Sequence, residues 1–426
     1  MSIKVLYEVS NLGYGYSDKK SRAGIFRVIE SILDEIITNP ELDIYFTSLC
    51  DFRSSLLTQQ YFVEEKNNLS PKNLNYWHSP LISWTQYIKV LKNIHDNKSK
   101  NLPNRLKRKI QATFLQIIEF LSDFDDLQDD FDIYHSFFHA LPPREKTGNI
   151  TRLITIYDMI PLLQPDSFDN TISQYFPKII NSIDRDRDWV ICISESTKND
   201  FCKIAKMPSE RVFVTPLAAS NSFHVQTDMD KIQSVRKKYS IPTGKYILAL
   251  STLEPRKNTA HLIKCFYQMI EEEKINDVYL VLVGSQGWLY ENIFYTADSK
   301  PKLRDRVIFT GYLPENELSS IYSGASFFVY PSLYEGFGLP PLEAMQCGTP
   351  VIASNNSSLP EVVGDAGILI EPKSEDQLCQ AMLHLLTNST ERENFSKKGL
   401  ERSQLFSWSQ CASDTINIYK KILDYK

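Results

Sequence analysis

One stretch constrains this chain more than any other: Ser326-Phe327-Phe328-Val329-Tyr330, then Pro331-Ser332-Leu333-Tyr334-Glu335-Gly336-Phe337-Gly338, then Leu339-Pro340-Pro341-Leu342-Glu343-Ala344-Met345. The apolar run ending at Tyr330 reads as a buried parallel strand that stops at Pro331. A glycine-bearing loop follows, and Pro340-Pro341 open a helix that carries Glu343 in its first turn. A strand, a glycine loop and a helix start present backbone N–H groups suited to a phosphate. In open α/β sheets ligands bind beyond the carboxyl ends of the strands, which is where Glu335 falls. Glutamate early in a helix also complements the helix dipole, so Glu343 alone has two explanations. Two glutamates eight positions apart around Gly-Phe-Gly-Leu-Pro-Pro point to a ligand site that accepts hydrogen bonds from hydroxyls.

Strand-to-helix alternation recurs along the chain and predicts an α/β protein of two doubly wound domains. The 426 residues suffice for two cores. Ile3 to Val9 reads as the first strand, followed by a loop from Ser10 to Ser17 and a helix from Gly24 on. Gly13 and Gly15 do not complete a dinucleotide fingerprint, which argues against an NAD-type oxidoreductase. Asp132 to Ser136 and Arg152 to Ile156 are further strands, the second ending at Tyr157-Asp158, a polar position of the kind that carries chemistry. Ser194 reads as the cap of the helix after Val190 to Ile193. Asn221 to Tyr239 reads as a polar linker, and Tyr246 to Leu250 opens the second domain. Directly after that strand come Arg256 and Lys257, a bidentate cation and a point charge suited to a diphosphate.

Composition narrows the class. A net charge of −5 gives no reason to propose a nucleic-acid partner. No apolar stretch reaches the length of a membrane span. The 7 cysteines are scattered with no C-x2-C pair, as expected of reduced thiols and not of a zinc site. The basic run Asn104 to Lys109, beside the apolar Phe114 to Leu121, has two readings: a solvated face, or a peripheral contact with anionic lipid. Asp184-Arg185-Asp186 spells D-x-D within a charged stretch and reads as solvated surface.

From Pro331 through Glu343-Ala344-Met345 to Cys347-Gly348-Thr349-Pro350-Val351, the chain resembles the E-x7-E signature of retaining GT-B glycosyltransferases, family 4. Ser194-Glu195-Ser196-Thr197-Lys198 and Leu359 to Gly367 are similar to further segments of that family. The resemblance is dense from Tyr246 to Tyr419 and slight from Asp51 to Asp130. It implies two Rossmann-like domains facing across a cleft: residues 1–225 for the acceptor, 244–405 for the nucleotide sugar, and a helix in 406–426 crossing back.

The resemblance also implies roles. Arg256 and Lys257 would hold the donor diphosphate, with Arg256 standing in for a family arginine whose place is taken by Thr252. Glu335 would hold the sugar hydroxyls and Glu343 the ribose. Gly24, Ser251, Tyr312, Leu313, Phe337, Gly338 and Leu339 would complete the donor site. Asp158 would meet an acceptor hydroxyl, with His135, His139 and Tyr157 beside it; many members carry histidine at the place of Tyr157. The expected reaction moves a hexose, mannose from GDP-mannose as first choice, to a saccharide or lipid-linked saccharide with retention and without cofactor or metal. Such work belongs in the cytoplasm, at the inner membrane face. The departures at Tyr157 and Thr252 leave a second class open: a non-catalytic nucleotide-sugar-binding or scaffolding subunit of a glycan-assembly complex.

Overall fold

The computed structural model describes residues 2–17, 24–66, 77–78, 113–114, 117, 123–127, 130–165 and 170–425. The basic run at 104–109 lies outside these. Twelve of the described strands build two six-stranded sheets, and Trp77–His78 pairs antiparallel with Asp123–Phe124 in a separate two-stranded one. The first contains β1 (Ile3–Glu8), β2 (Leu42–Thr47), β3 (Ile133–Ser136), β4 (Thr151–Ile156), β5 (Trp189–Cys192) and β6 (Val212–Val214), in the order β2-β1-β3-β4-β5-β6. The second contains β7 (Lys245–Leu250), β8 (Val278–Val283), β9 (Val307–Gly311), β10 (Phe327–Tyr330), β11 (Val351–Ser354) and β12 (Gly367–Ile370), in the order β9-β8-β7-β10-β11-β12. Both sheets are parallel, as the alternation predicts. Parallel strands with helices on both faces read as continuous apolar runs, and every residue of β10 and β11 is buried.

By internal contacts the chain divides into two units. One comprises Met1–Ile156, Pro177–Ile191 and Ile416–Lys426; the other comprises Tyr157–Phe176 and Cys192–Thr415. Within the first, Tyr419 reaches Tyr7, hydroxyl to hydroxyl, at 2.6 Å. Within the second, the core gathers Ile247, Leu262, Phe266, Leu280, Phe327 and Ile352.

Three local expectations need correction. Ser10–Ser17 is a helix (α1), not a loop. Its glycines serve packing: a Cβ on Gly13 would lie 2.6 Å from the Thr58 backbone nitrogen, and one on Gly15 would lie 2.2 Å from the Phe26 ring. The stretch read as a linker holds a helix, Met229–Lys238, capped by Asp228 and burying Ile232 and Val235. Glu343 is the fifth residue of the helix Leu339–Gln346, past its first turn. Ser194 caps its helix as expected, accepting from the Thr197 N–H.

Candidate active site

In the second sheet the strand order reverses direction between β7 and β10, which lie side by side although about 80 residues separate them. At such a switch point the loops leaving two neighbouring strands diverge and open a crevice. Backbone and side-chain bonds stitch these two loops together. The Leu333 N–H donates to the Arg256 carbonyl at 2.8 Å. The Asn258 amide donates to the carbonyls of Pro331 at 3.1 Å and Pro372 at 2.7 Å.

The stitching brings Glu335 onto the Arg256–Lys257 turn. Lys257 Nζ lies 2.6 Å from Glu335 Oε1, and Arg256 Nη1 lies 3.1 Å from Oε2. Oε1 also accepts from the Ser332 hydroxyl at 2.6 Å and the Tyr330 hydroxyl at 2.9 Å. Lys257 donates to the Tyr330 oxygen as well, at 2.8 Å. Arg256 extends its other nitrogen, Nη2, to Glu254 Oε1 at 2.6 Å, and Nη1 donates to the Tyr334 carbonyl at 2.8 Å. The side chains of Arg256, Lys257 and Glu335 are each about one-tenth exposed.

Gly336 explains why a glycine must follow Glu335. A Cβ there would sit 2.1 Å from the Tyr157 carbonyl oxygen and 2.8 Å from Asp158 Cβ. The bare backbone lets the segment at Tyr157-Asp158 close onto the loop, which places Asp158 within electrostatic reach of Arg256, Glu335 and Lys257. Two serines that sequence reasoning passed over hold the loop from the other side. The Glu335 N–H donates to Ser357 Oγ at 3.0 Å, and the Ser358 hydroxyl donates to the carbonyls of Glu335 at 2.9 Å and Phe337 at 2.6 Å. Gly338, at φ 122°, caps the following helix, whose second and third residues are prolines without N–H groups. The helix start therefore offers fewer amides to an anion than a glycine loop alone suggests.

This constellation can be set beside known proteins. The family model "Glycosyl transferases group 1" matches residues 231–402. The O-antigen chain mannosyltransferase B of Escherichia coli is 32% identical over 288 residues, 68% of this chain and 74% of that protein. The chain belongs to the glycosyl transferases group 1 family. The serotype-specific mannosyltransferase WbdA of Escherichia coli is 32% identical over 63% of this chain, which spans 33% of that longer protein. Among solved structures, Anabaena Alr3699/HepE in complex with UDP and glucose shares the fold with a TM-score of 0.63 at 15% identity, over 99% of each chain.

The other predicted residues of this glycosyltransferase are distributed as follows. Glu343 is buried, and its Oε2 accepts from the Tyr322 hydroxyl at 3.1 Å. Ser251 follows β7, with its N–H on the Val283 carbonyl at 3.0 Å. After β9, Tyr312 is 69% exposed whereas Leu313 is buried. Phe337 is buried against Phe406, and Leu339 begins its helix. Tyr157 is buried, and its carbonyl accepts from Thr197 Oγ1 at 3.3 Å. Gly24, in the first unit, has φ 54° before the helix Ile25–Ile36, with open space where a Cβ would stand.

The expectation that His135 faces an acceptor is corrected. It is 1% exposed, with Nδ1 on the Tyr419 hydroxyl at 2.7 Å and Nε2 on Thr155 Oγ1 at 2.9 Å. Burial lowers its pKa to about 3, so it is a neutral core imidazole whose two nitrogens are both engaged. His139 is buried too, with Nε2 3.1 Å from Asn11 Oδ1. Asp184-Arg185-Asp186 lies in a turn with Arg185 and Asp186 exposed. Among the described residues no group of three or more His, Cys, Asp or Glu side chains is arranged to hold a metal ion. No helix of the described residues is long and apolar enough to cross a membrane.

Burial alone would raise the pKa of Glu335, but Lys257 and then Arg256 more than offset it and hold the carboxyl at about 2. For Asp158 burial wins, and its pKa lies above the usual range despite the Ile160 N–H and the two cations. Glu335 thus has a folded pKa below its unfolded value of 4.5. Its stabilising contribution is complete above about pH 4.5 and is lost as pH falls toward 2. Urea unfolding of the wild type and of Glu335→Gln should therefore differ most above pH 5 and converge as the pH is lowered toward about 2. Parallel curves across that range would show that the ion pairs do not stabilise the fold.

Proposed function

We propose that this glycosyltransferase moves mannose from GDP-mannose to a hydroxyl of a saccharide in surface-polysaccharide assembly, with retention of anomeric configuration and without a metal ion. The observation that carries the reading is the grip of Arg256 and Lys257 on Glu335 at the switch point of the second sheet. Two buried cations and a carboxylate in contact are what a nucleotide sugar needs: positive charge for its diphosphate, and an acceptor for its hydroxyls. The choice of mannose rests on the relatives, which include an O-antigen chain mannosyltransferase and a serotype-specific mannosyltransferase.

In this mechanism the diphosphate takes Arg256 and Lys257 as its counter-ions, and Glu335 turns to the sugar hydroxyls. As the glycosidic bond breaks, negative charge grows on the departing GDP. The same two cations, held in place before reaction, stabilise it without reorganising. The acceptor hydroxyl attacks from the face the diphosphate is leaving, and the departing phosphate oxygen takes its proton. Glu343 holds the ribose and Asp158 orients the acceptor. A lipid-linked saccharide at the cytoplasmic face of the inner membrane is the proposed acceptor.

The test is a melting-temperature series with GDP, UDP, dTDP and ADP, each with and without EDTA, followed by transfer from GDP-mannose to a mannose-terminated oligosaccharide. A ligand that binds only the folded state raises stability with its occupancy. The expected result is a shift with GDP alone, unchanged by EDTA, and an α-linked product by NMR. A shift with UDP in place of GDP would overturn the donor, a β-linked product the retention, and loss of turnover in EDTA the metal independence.

A further inference from the structure

The Arg256–Glu254 pair has no place in the mechanism above. Glu254 is 1% exposed, and its Oε1 is 2.6 Å from Arg256 Nη2. A carboxylate is held in such burial only when the charge it meets compensates its lost hydration. The pair also divides the guanidinium. Nη2 goes to Glu254, while Nη1 is left for the Tyr334 carbonyl and a single oxygen of Glu335. The Nε–H of Arg256 is buried and makes no hydrogen bond. Arginine facing one carboxylate ordinarily closes a two-bond fork on it. Here the fork on Glu335 stays open because Glu254 holds one of its tines.

Glu254 is itself fixed by its surroundings. Its carbonyl accepts from the Lys257 N–H at 3.1 Å, closing the short turn Pro255–Lys257. The preceding Leu253 bridges to Gln286, and its carbonyl accepts from the Gly287 N–H at 3.0 Å. A Cβ on Gly287 would be 2.7 Å from Thr252 Cγ2 and 3.5 Å from Glu254 Cβ, so the loop after β8 lies directly against this turn.

We infer that Glu254 is a positioning residue: it holds the Arg256 guanidinium away from a closed, two-bond lock on Glu335, keeping Arg256 free for a diphosphate and Glu335 free for a sugar. This accounts for how an arginine at 256 can serve where Thr252 offers no cation. The inference rests on the reading of Arg256 and Glu335 as donor-site residues. Burial raises the pKa of Glu254 even beside Arg256, in keeping with a carboxylate kept for its partner and not for solvent.

The experiment measures GDP affinity by calorimetric titration, and kcat and KM with GDP-mannose, for Glu254→Ala, Glu254→Gln, Arg256→Ala and the pairs Glu254→Ala/Arg256→Ala and Glu254→Ala/Glu335→Gln. Glu254→Ala should weaken GDP binding about tenfold and lower kcat/KM about a hundredfold, and Glu254→Gln, which still accepts from Nη2, should lose several-fold less. Adding Glu254→Ala to Arg256→Ala should change nothing further, because the carboxylate acts through that guanidinium alone. Adding Glu335→Gln to Glu254→Ala should restore GDP affinity, since the lock loses its charged partner. A purely structural Glu254 would instead lower the melting temperature of each variant with additive effects and no restoration, and that pattern overturns the inference. Unimpaired GDP binding by Glu254→Ala would overturn it also while leaving the proposed function intact. A wild type that binds no nucleoside diphosphate would overturn both.

Discussion

Glu335→Gln is expected to lower transfer about a hundred- to a thousandfold while GDP binds at least as tightly as to the wild type. The carboxylate sits between Lys257 and Arg256, at 2.6 and 3.1 Å, where a diphosphate bound as proposed would compete for both cations. Removing its charge removes the competitor, so GDP gains. The sugar loses the acceptor proposed to hold its hydroxyls as the bond breaks, and losing one positioned group of that kind costs about 3–4 kcal/mol of transition-state stabilisation. The folded state weakens as well, by about 3 kcal/mol, because two buried cations lose a shared partner. Glutamine keeps the shape and can still accept from Ser332 and Tyr330, so the variant should fold. Calorimetric titration with GDP beside single-turnover kinetics separates the two effects. Near-normal turnover, or a parallel loss of GDP affinity, would remove Glu335 from the proposed role.

Lys257→Ala should do the opposite at the binding step. Its ammonium contacts Glu335 Oε1, the Tyr330 hydroxyl and, at 5.2 Å from the centroid, the Tyr330 ring. Without it GDP should bind about a hundredfold more weakly, and transfer should fall about a thousandfold, because one of two counter-charges for the departing diphosphate is gone. Glu335 is then left buried with Arg256 as its remaining cation. Its carboxyl pKa should rise from about 2, so its stabilising contribution should shrink and its loss on acidification, which starts near pH 4.5, should be complete at a higher pH than in the wild type. A variant that retains GDP affinity would show that Arg256 holds the diphosphate alone. The two substitutions thus make contrasting predictions for the same titration, which non-specific damage to the fold would not reproduce.

Much of the architecture is legible in the chain. The runs at β7, β8, β10 and β11 are apolar throughout because both faces of a parallel sheet are covered, and that pattern survives reading one residue at a time. The motif that carries Glu335 and Glu343 is likewise local, as is the adjacency of Arg256 and Lys257. Misreadings arose where one pattern serves two ends. Glycines at 13 and 15 make Ser10 to Ser17 read as a loop, yet they sit in a helix and admit Thr58 and Phe26 into close packing, a contact that depends on residues more than 10 positions away. His135 looks like a polar strand end, yet Tyr419, 284 positions further on, takes one of its nitrogens. The helix Met229–Lys238 hides in a polar stretch because it buries only three residues of its ten.

The sequence by itself determined the alternation of strands and helices, the parallel sheets, and the presence of two glutamates and two cations at the ends of strands. Local propensity and burial pattern are properties of neighbours along the chain, so a linear reading reaches them. Only the tertiary structure decided which of those charges meet. The placing of β10 beside β7 lets Glu335 close on Arg256 and Lys257; the missing Cβ of Gly336 admits Tyr157-Asp158; and the buried Glu254 takes half of the arginine. A charge acquires its counter-charge through space, at distances of about 3 Å, and separation along the chain carries no record of that distance.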